Sequence, residues 1–175
     1  MNVVFLDIDG VVQPPNSFER FKYMNYDTIK SLTDKYNTDY FKYDYYDVCA
    51  VYVDWNSDAV ERLKYILDST NSRIIISSNW RDTTYKNKMY DLLKIQGLDK
   101  YYFKDNPYIM DDSSYYRKRA KEIIASLNKY NISNYVILDD MVELIRYFPD
   151  NFVCVRNYIQ DRDVENAIKI LKRSN

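Results

Sequence analysis

Apolar residues recur along the chain in short runs, and the first run leads directly into acidic residues. It begins at Val3 and ends on Asp7 and Asp9, which are one residue apart, with Gly10 directly after them. An apolar run of this kind is typical of a strand that is buried on both faces. Asp is depleted in strands and is almost never buried without a partner or a metal ion. The two carboxylates at the end of this strand therefore predict a bound cation.

From Ser57 onward, apolar runs alternate with segments in which apolar residues recur at helical spacing. Ser57 is the predicted N-terminal cap of a helix that places Val60 and Leu63 on one face. The next helix passes through Met89 and stops at Gly97, the predicted C-terminal cap. The remaining predicted elements are strands 73–78, 135–138 and 152–155 and helices 117–130, 141–147 and 163–172. Strands that alternate with helices indicate an α/β fold, with a doubly wound parallel sheet covered on both faces.

The segment between the first strand and Ser57 does not follow this alternation. It contains Pro14-Pro15, scattered charges and many aromatic residues, with one helical pattern over residues 27–36. We interpret residues 13–55 as an insertion after the first strand, within a single domain that spans residues 1–175. The chain has 20 tyrosines, and six of them lie between residues 36 and 52. Codons rich in A and T explain this excess, and stacking on the bases of a nucleic acid is the alternative explanation.

Polar residues end three of the predicted strands at the same edge of the sheet. They are Asp7 and Asp9, Ser77 and Ser78, and Asp139 and Asp140, while the cations Arg117, Lys118, Arg119 and Lys121 begin helix 117–130. Ligands of parallel sheets bind beyond the carboxyl ends of the strands, so we expect these side chains to share one pocket. Carboxylates suit Mg²⁺, and hydroxyls and cations suit phosphate. The pocket therefore indicates Mg²⁺ together with a phosphate group.

The residues that the chain lacks exclude several mechanisms. It has no His, two Cys and two Gly. Without His there is no Ser-His-Asp triad, no Cys-His pair and no His-ligated zinc. Cys49 and Cys154 cannot form a four-cysteine metal site, and two glycines do not supply a Walker loop or a GxGxxG turn. Carboxylates, hydroxyls, Lys and Arg are left to carry the chemistry.

Charge and hydropathy set the expected environment. The formal net charge is −1 and the isoelectric point is about 5.5, which gives no general basic surface for a nucleic acid duplex. No apolar segment approaches the roughly 20 residues needed to span a bilayer, and the N-terminus does not resemble a signal sequence. We therefore expect a soluble, cytoplasmic protein that has no membrane partner and whose two cysteines stay reduced.

Four motifs, in the right order, resemble those of the haloacid dehalogenase (HAD) superfamily of phosphohydrolases. They are Asp-Ile-Asp-Gly-Val at 7–11, Ser77 after a run of isoleucines, Arg119 at a helix start, and the pair Asp139-Asp140. More narrowly, residues 77–81, 119–123 and 136–140 are similar to the HAD domain of "Swiss Army Knife" RNA repair proteins. The resemblance covers nearly the whole chain. It implies a HAD/Rossmann-like sheet in which residues 13–55 form a small, Tyr-rich, cap-like insertion.

The resemblance also implies a mechanism. Asp7 would attack phosphorus and form an aspartyl-phosphate, and Asp9 would protonate the leaving oxygen. The implied ligands of Mg²⁺ are Asp7, the backbone carbonyl of Asp9, Asp139 and Asp140. Ser77 would donate a hydrogen bond to the phosphoryl oxygens, and a cation from the third motif would stabilise the charge that develops on them.

Three assignments stay open in the sequence. Either Ser77 or Ser78 faces the pocket. The third-motif cation is Arg119, Lys118 or Lys121. Arg81 either binds substrate phosphate or is a surface residue at the start of a helix.

The implied activity is that of a magnesium-dependent phosphomonoesterase. The aromatic insertion and the likeness to RNA repair proteins favour a phosphate on an RNA or DNA end, or on a nucleotide. An unrelated small-molecule phosphate is the alternative substrate, and an inactive binding module with the same fold is the third hypothesis. A response-regulator receiver also uses aspartates and Mg²⁺, but its acidic pair follows the first strand and its phosphoacceptor Asp ends a middle strand. Here the Asp-x-Asp motif comes first and the pair Asp139-Asp140 ends a later strand.

Overall fold

Five parallel strands form the centre of the molecule in the computed structural model, which describes residues 1–81, 84–107, 109 and 114–173. The strands are β1 (Asn2–Leu6), β2 (Ser72–Ile76), β3 (Tyr102–Asp105), β4 (Asn134–Asp139) and β5 (Phe152–Cys154). They lie in the order β3-β2-β1-β4-β5, and every neighbouring pair is parallel. This confirms the predicted α/β fold with a parallel sheet.

Helices connect the strands. The α-helices of the described residues are α1 (Tyr26–Tyr36), α2 (Tyr45–Cys49), α3 (Ser57–Thr70), α4 (Lys88–Ile95), α5 (Tyr115–Lys129) and α6 (Asp161–Leu171). A π-helical turn, Ala50–Asp54, continues α2, and 3₁₀ turns cover Glu19–Lys22, Asp99–Tyr101 and Val142–Arg146. The predicted helix over 141–147 is thus a 3₁₀ turn. In the described parts of the chain, each helix is too short or too polar to cross a membrane.

The side chains of β1 alternate between two apolar cores, one on each face of the sheet. Val4 and Leu6 lie in the larger core with residues of α3, α4 and α6, whereas Val3 and Phe5 lie in the smaller core with residues of α5. Because both faces are covered, β1 is an unbroken apolar run. The helices that follow β1 and β2 lie on one face, and the helix that follows β3 lies on the other, so the sheet is doubly wound. The strand order reverses between β1 and β4, where such folds bind their ligands.

Residues 13–55 pack against the larger core and against α4. Ile29, Leu32 and Val48 are buried in that core. Two tyrosines of the segment are also buried, and both bond to Asp91 of α4: the hydroxyl of Tyr40 donates to its carbonyl (2.8 Å) and that of Tyr43 to its carboxylate (2.7 Å). These two tyrosines therefore serve packing. A role of the segment as a substrate-selecting cap stays a prediction.

The structure differs from the sequence predictions at two further places: one helix cap is wrong and one strand was not predicted. The cap of α3 is Asn56, whose side-chain oxygen accepts the N–H of Ala59 (2.9 Å), and Ser57 is the first residue of the helix. Strand β3 does not appear in the prediction. It lies at the edge of the sheet and is half-buried along its length, so its residues, Tyr-Phe-Lys-Asp, show no apolar run.

Candidate active site

Backbone hydrogen bonds extend the sheet beyond its strands and align the polar residues that follow them. The N–H of Asp7 donates to the carbonyl of Leu138 on β4 (3.0 Å), and the N–H of Ser77 donates to the carbonyl of Leu6 on β1 (2.9 Å). Asp139 is the last residue of β4. Asp7, Ser77 and Asp139 therefore lie side by side at the carboxyl edge of three adjacent strands.

Arg119 of α5 joins two of the acidic residues. Its Nη1 lies 2.9 Å from Oδ2 of Asp7 and 2.6 Å from Oδ2 of Asp139, and all three side chains are buried. Burial lowers the pKa of Arg119, but the two carboxylates raise it more, so the guanidinium stays charged. Lys118 is half-buried and Lys121 is exposed. These contacts favour Arg119 among the three candidates for the third-motif cation.

Three carboxylates meet where a metal ion is expected. Oxygen atoms of Asp7, Asp139 and Asp140 lie within 4.8 Å of one another. Burial and the charge of Asp7 raise the pKa of Asp139 to about 7, and the same two causes raise the pKa of Asp140. One guanidinium does not neutralise three carboxylates, and an all-oxygen donor set suits Mg²⁺. The residues present therefore fit the ion that the sequence predicts.

Gly10 allows the loop after β1 to approach this acidic cluster. Its φ is +74°, and a Cβ added there would lie 2.5 Å from Oδ2 of Asp140. The loop turns tightly because the carbonyl of Ile8 accepts the N–H groups of Val11, Val12 and Gln13. A side chain at position 10 would displace Asp140, so a glycine is needed here.

Asp9 lies at the mouth of the pocket, where two side chains orient it. The indole N–H of Trp80 donates to Oδ2 (2.8 Å), and the amide of Gln13 donates to Oδ1 (2.9 Å). Partial burial raises the pKa of Asp9, the bond from Trp80 opposes this, and the charge of Asp7 adds to the rise. Trp80 and Gln13 are not among the predicted site residues. Their only sequence signal is their position beside the first and second motifs.

The two serines after β2 have different surroundings. The Oγ of Ser77 is buried and has no hydrogen-bond partner among the described residues. The Oγ of Ser78 accepts the N–H of Trp80 at 3.4 Å, and the Ser78 carbonyl accepts Nε of Arg81 at 2.6 Å. A buried hydroxyl without a partner costs stability, so such groups mark functional positions. Ser77 is therefore the better candidate for binding phosphate.

Two roles were predicted for Arg81, a phosphate clamp or a surface residue at the start of a helix, and the surface role is wrong because the side chain is buried. Its guanidinium is buried, and it donates to the carboxylate of Glu122 on α5 (2.7 Å) and to the carbonyl of Asn106 after β3 (2.9 Å). These partners belong to the protein's own framework, so Arg81 links the loop after β2 to α5. Its contact with substrate phosphate stays a prediction that this geometry does not favour.

Asn106 is a polar residue at the sheet edge that the sequence analysis missed. Its N–H donates to the carbonyl of Ile76, its Oδ1 accepts the hydroxyl of Ser126, and its buried Nδ2 has no partner among the described residues. It follows β3, which was also not predicted. Because the half-buried residues of β3 form no apolar run, the sequence indicates neither the strand nor the polar residue after it.

One protein family matches the chain over residues 3–164, and its description is the HAD domain in Swiss Army Knife RNA repair proteins. The match spans all five strands and every acidic residue of the site. It confirms the resemblance seen in the sequence motifs. The family suggests a hydrolase of the phosphatase type, and HAD domains generally use Mg²⁺. Comparisons with curated proteins and with solved structures returned no match.

Proposed function

Because the chain belongs to the family of HAD domains in Swiss Army Knife RNA repair proteins, we propose that it is a magnesium-dependent phosphomonoesterase that forms an aspartyl-phosphate. The observation that carries this proposal is the contact of Arg119 with both Asp7 and Asp139, beside the hydroxyl of Ser77, which has no partner among the described residues. This arrangement presents a nucleophile, a cation and a hydrogen-bond donor at one point.

Each residue has a role that its position supports. Asp7 attacks phosphorus, the bond from phosphorus to the leaving oxygen breaks, and Asp9 gives that oxygen a proton. Water then attacks the phosphorus of the aspartyl-phosphate, Asp9 takes its proton, and Asp7 is released. Arg119 and Ser77 bind the phosphoryl oxygens, where negative charge grows in the transition state.

The metal ion has a donor set in this chain. Asp7, Asp139, Asp140 and the backbone carbonyl of Asp9 would hold Mg²⁺. When bound, the ion neutralises charge between the Asp7 carboxylate and the phosphate, which otherwise repel each other. The fit of the three carboxylates supports this assignment.

The proposed substrate is a phosphate on an RNA or DNA end, or on a nucleotide. The RNA repair context of the family and the aromatic rings near Asp9 support it. An unrelated small-molecule phosphate is the second candidate, and an inactive module is the third. A cytoplasmic location and the identity of any partner stay predictions.

Hydrolysis of p-nitrophenyl phosphate by the purified chain with Mg²⁺ tests the activity. We expect wild type to turn over this substrate, and Asp7→Asn to lose about 10³-fold or more in kcat while mass spectrometry detects no phosphate on the chain. Asp34→Asn, an exposed carboxylate on α1 that pairs with Lys30, is the matched control and should keep wild-type activity. A folded wild type that hydrolyses no phosphomonoester would contradict the proposal.

A comparison of substrates tests the specificity. Oligonucleotides phosphorylated at the 3′ end or the 5′ end are compared with free mononucleotides, all at matched concentration. A preference for one phosphorylated end supports action on nucleic acid ends. Equal rates on all three would argue for a phosphatase without end specificity.

A further inference from the structure

Three exposed aromatic residues of the 13–55 segment form a continuous surface, which we call the aromatic strip: Phe18, Phe21 and Tyr46. Their exposed fractions are 62%, 59% and 41%. The rings of Phe18 and Phe21 are nearly parallel, at 18°, with centroids 6.5 Å apart, and the ring of Tyr46 meets Phe21 edge-on at 6.0 Å. Large apolar side chains exposed as a group, rather than singly, mark a binding surface.

Arg20 fixes the strip to the end of the same segment, directly before Trp55. Its guanidinium carbon lies 4.2 Å from the centroid of the Tyr46 ring, and its Nε donates to Oδ2 of Asp54 at 2.5 Å. Both members of this ion pair are buried. A paired charge without solvent around it holds its geometry tightly, so the strip has a defined position.

The same buried layer connects the strip to Asp9. Asp54 precedes Trp55, whose buried ring meets the ring of Trp80 at 6.4 Å, and the indole of Trp80 donates to Asp9. Gln13, which precedes Phe18 in the same segment, also donates to Asp9. These contacts join the strip to the side of the pocket on which Asp9 lies.

That side is where the leaving group must be. In the proposed mechanism Asp9 protonates the leaving oxygen, so the organic part of the substrate extends past Asp9 and away from Asp7. Trp80 contacts Asp9 directly, and the strip is joined to Trp80 through Arg20, Asp54 and Trp55. Aromatic faces stack on any base, whatever the sequence, and a nucleoside is a flat aromatic group attached to phosphate.

From this geometry we propose that the aromatic strip stacks the bases of a single-stranded nucleic acid whose terminal phosphate lies at Asp7. The proposal rests on the proposed phosphatase function for the direction of the strand. It commits to RNA or DNA single strands as the occupant. A duplex stacks its bases internally and offers the strip no free base face.

Binding of a single-stranded hexanucleotide that ends in a hydroxyl tests the proposal, because this product-like ligand needs no turnover. Fluorescence anisotropy with labelled RNA and DNA hexamers, each also as a duplex, gives Kd for every protein. We expect wild type to bind single strands more tightly than duplexes, and Phe18→Ala/Phe21→Ala to raise the single-strand Kd about tenfold or more. The RNA and DNA arms show which of the two sugars is preferred.

Two further variants make the result specific. Phe21→Trp keeps a flat aromatic face and should bind at least as tightly as wild type. Tyr65→Ala removes a ring that is equally exposed, at 62%, but lies on α3 beside Glu61 and Asp161, and it should leave Kd unchanged. Both positions are at the surface, so circular dichroism should show a folded protein in each case.

Several outcomes would overturn the proposal. They are no saturable binding of either single strand by wild type, an unchanged Kd in the double alanine variant, and an equal loss in Tyr65→Ala. A dimer that the double alanine variant loses, in the absence of oligonucleotide binding, would assign the strip to self-association instead. None of these results bears on whether p-nitrophenyl phosphate is hydrolysed, so the phosphatase function can stand or fall independently.

Discussion

Two adjacent serines at the end of β2 show how one residue position decides function. Ser77 has a buried hydroxyl without a described partner, whereas the hydroxyl of Ser78 lies near the N–H of Trp80. Folding therefore leaves a donor at Ser77 that none of the described residues uses. Substrate phosphate would supply its missing partner.

We predict that alanine lowers activity strongly at Ser77 and only slightly at Ser78. Ser77→Ala should lower kcat/KM by about 10²-fold, because one donor to the phosphoryl group is lost. It should not lower the free energy of unfolding, since the lost hydroxyl bonds to none of the described residues. Ser78→Ala should keep activity within a few-fold. Steady-state kinetics and urea unfolding of both variants check this, and a greater loss of activity in Ser78→Ala would reverse the assignment.

Arg119 is the second residue on which the site depends. A single guanidinium nitrogen contacts both Asp7 and Asp139, which brings the nucleophile and a metal ligand to a fixed separation. Arg is the cation that stays charged when buried, and the acidic neighbours strengthen this. Burial at this position therefore does not deprotonate Arg119, and its guanidinium keeps its positive charge.

Among the elements, the loop after β1 and the end of β4 are coupled through Gly10. Both glycines of the chain have positive φ, +74° at Gly10 and +66° at Gly97, so alanine strains the backbone at either position. Among the described residues, a Cβ at Gly97 would meet only Lys64 Nζ, at 3.8 Å, whereas a Cβ at Gly10 would collide with Asp140. A comparison of alanine variants at the two positions therefore distinguishes the effect of backbone strain from the effect of displacing Asp140.

We predict that both alanine variants lose about 1 kcal/mol of stability from the backbone, and that Gly10→Ala alone loses activity. Displacement of Asp140 should raise the Mg²⁺ concentration needed for half-maximal activity. A Mg²⁺ titration of p-nitrophenyl phosphate hydrolysis measures this effect. Equal Mg²⁺ requirements in the two variants would show that the contact with Asp140 does not matter.

The elements also show what the sequence can predict. β1 is buried on both faces, so its apolar run and terminal aspartates were sufficient to identify it. β3 is an edge strand with half-buried residues, and it carries no such pattern. The partners of Arg81 are Asn106, directly after β3, and Glu122 on α5. They lie 25 and 41 residues away, and local spacing does not encode them.

The same limit applies to the candidate site. Asp7 and Asp139 come together because parallel strands end at one edge, which the alternation of strands and helices already implies. Arg119 joins them from the first turns of α5. Trp80 and Gln13 reach Asp9 through side-chain orientation within short loops. The aromatic strip depends on which rings the 13–55 segment buries. Tyr40 and Tyr43 are buried, whereas Phe18 and Phe21, outside the tyrosine-rich region, are exposed.

For the whole molecule, buried carboxylates determine how stability depends on pH. Burial raises the pKa of Asp105 to about 6, and burial together with Asp7 raises that of Asp139 to about 7. The pKa values of Asp9 and Asp140 are raised as well. Between about pH 4 and pH 7 the folded chain thus holds protons that the unfolded chain has released. The free energy of unfolding must fall as pH rises through this window.

The pKa of Asp91 is shifted in the opposite direction, and this shift affects stability at lower pH. Burial alone would raise its pKa, yet hydrogen bonds from Tyr43, Lys42 and Lys94 lower it below the ordinary value. Its contribution to stability is therefore present above about pH 4 and is lost only as the pH falls further. It does not cancel the fall expected between pH 4 and pH 7.

Asp105 is not one of the proposed metal ligands. The variant Asp105→Asn therefore measures a part of the fall in the free energy of unfolding that does not depend on the metal site. A pKa of about 6, against an ordinary value of 3.8, corresponds to at most about 3 kcal/mol lost by pH 7. We expect the variant to be more stable than wild type at pH 7 and no more stable near pH 4, as measured by urea unfolding with EDTA. Mg²⁺ favours the ionised forms of its carboxylate ligands, so it should reduce the fall in both proteins and leave the difference between them. Asp34→Asn is the control, and the same pH dependence in wild type and Asp105→Asn would contradict the burial argument.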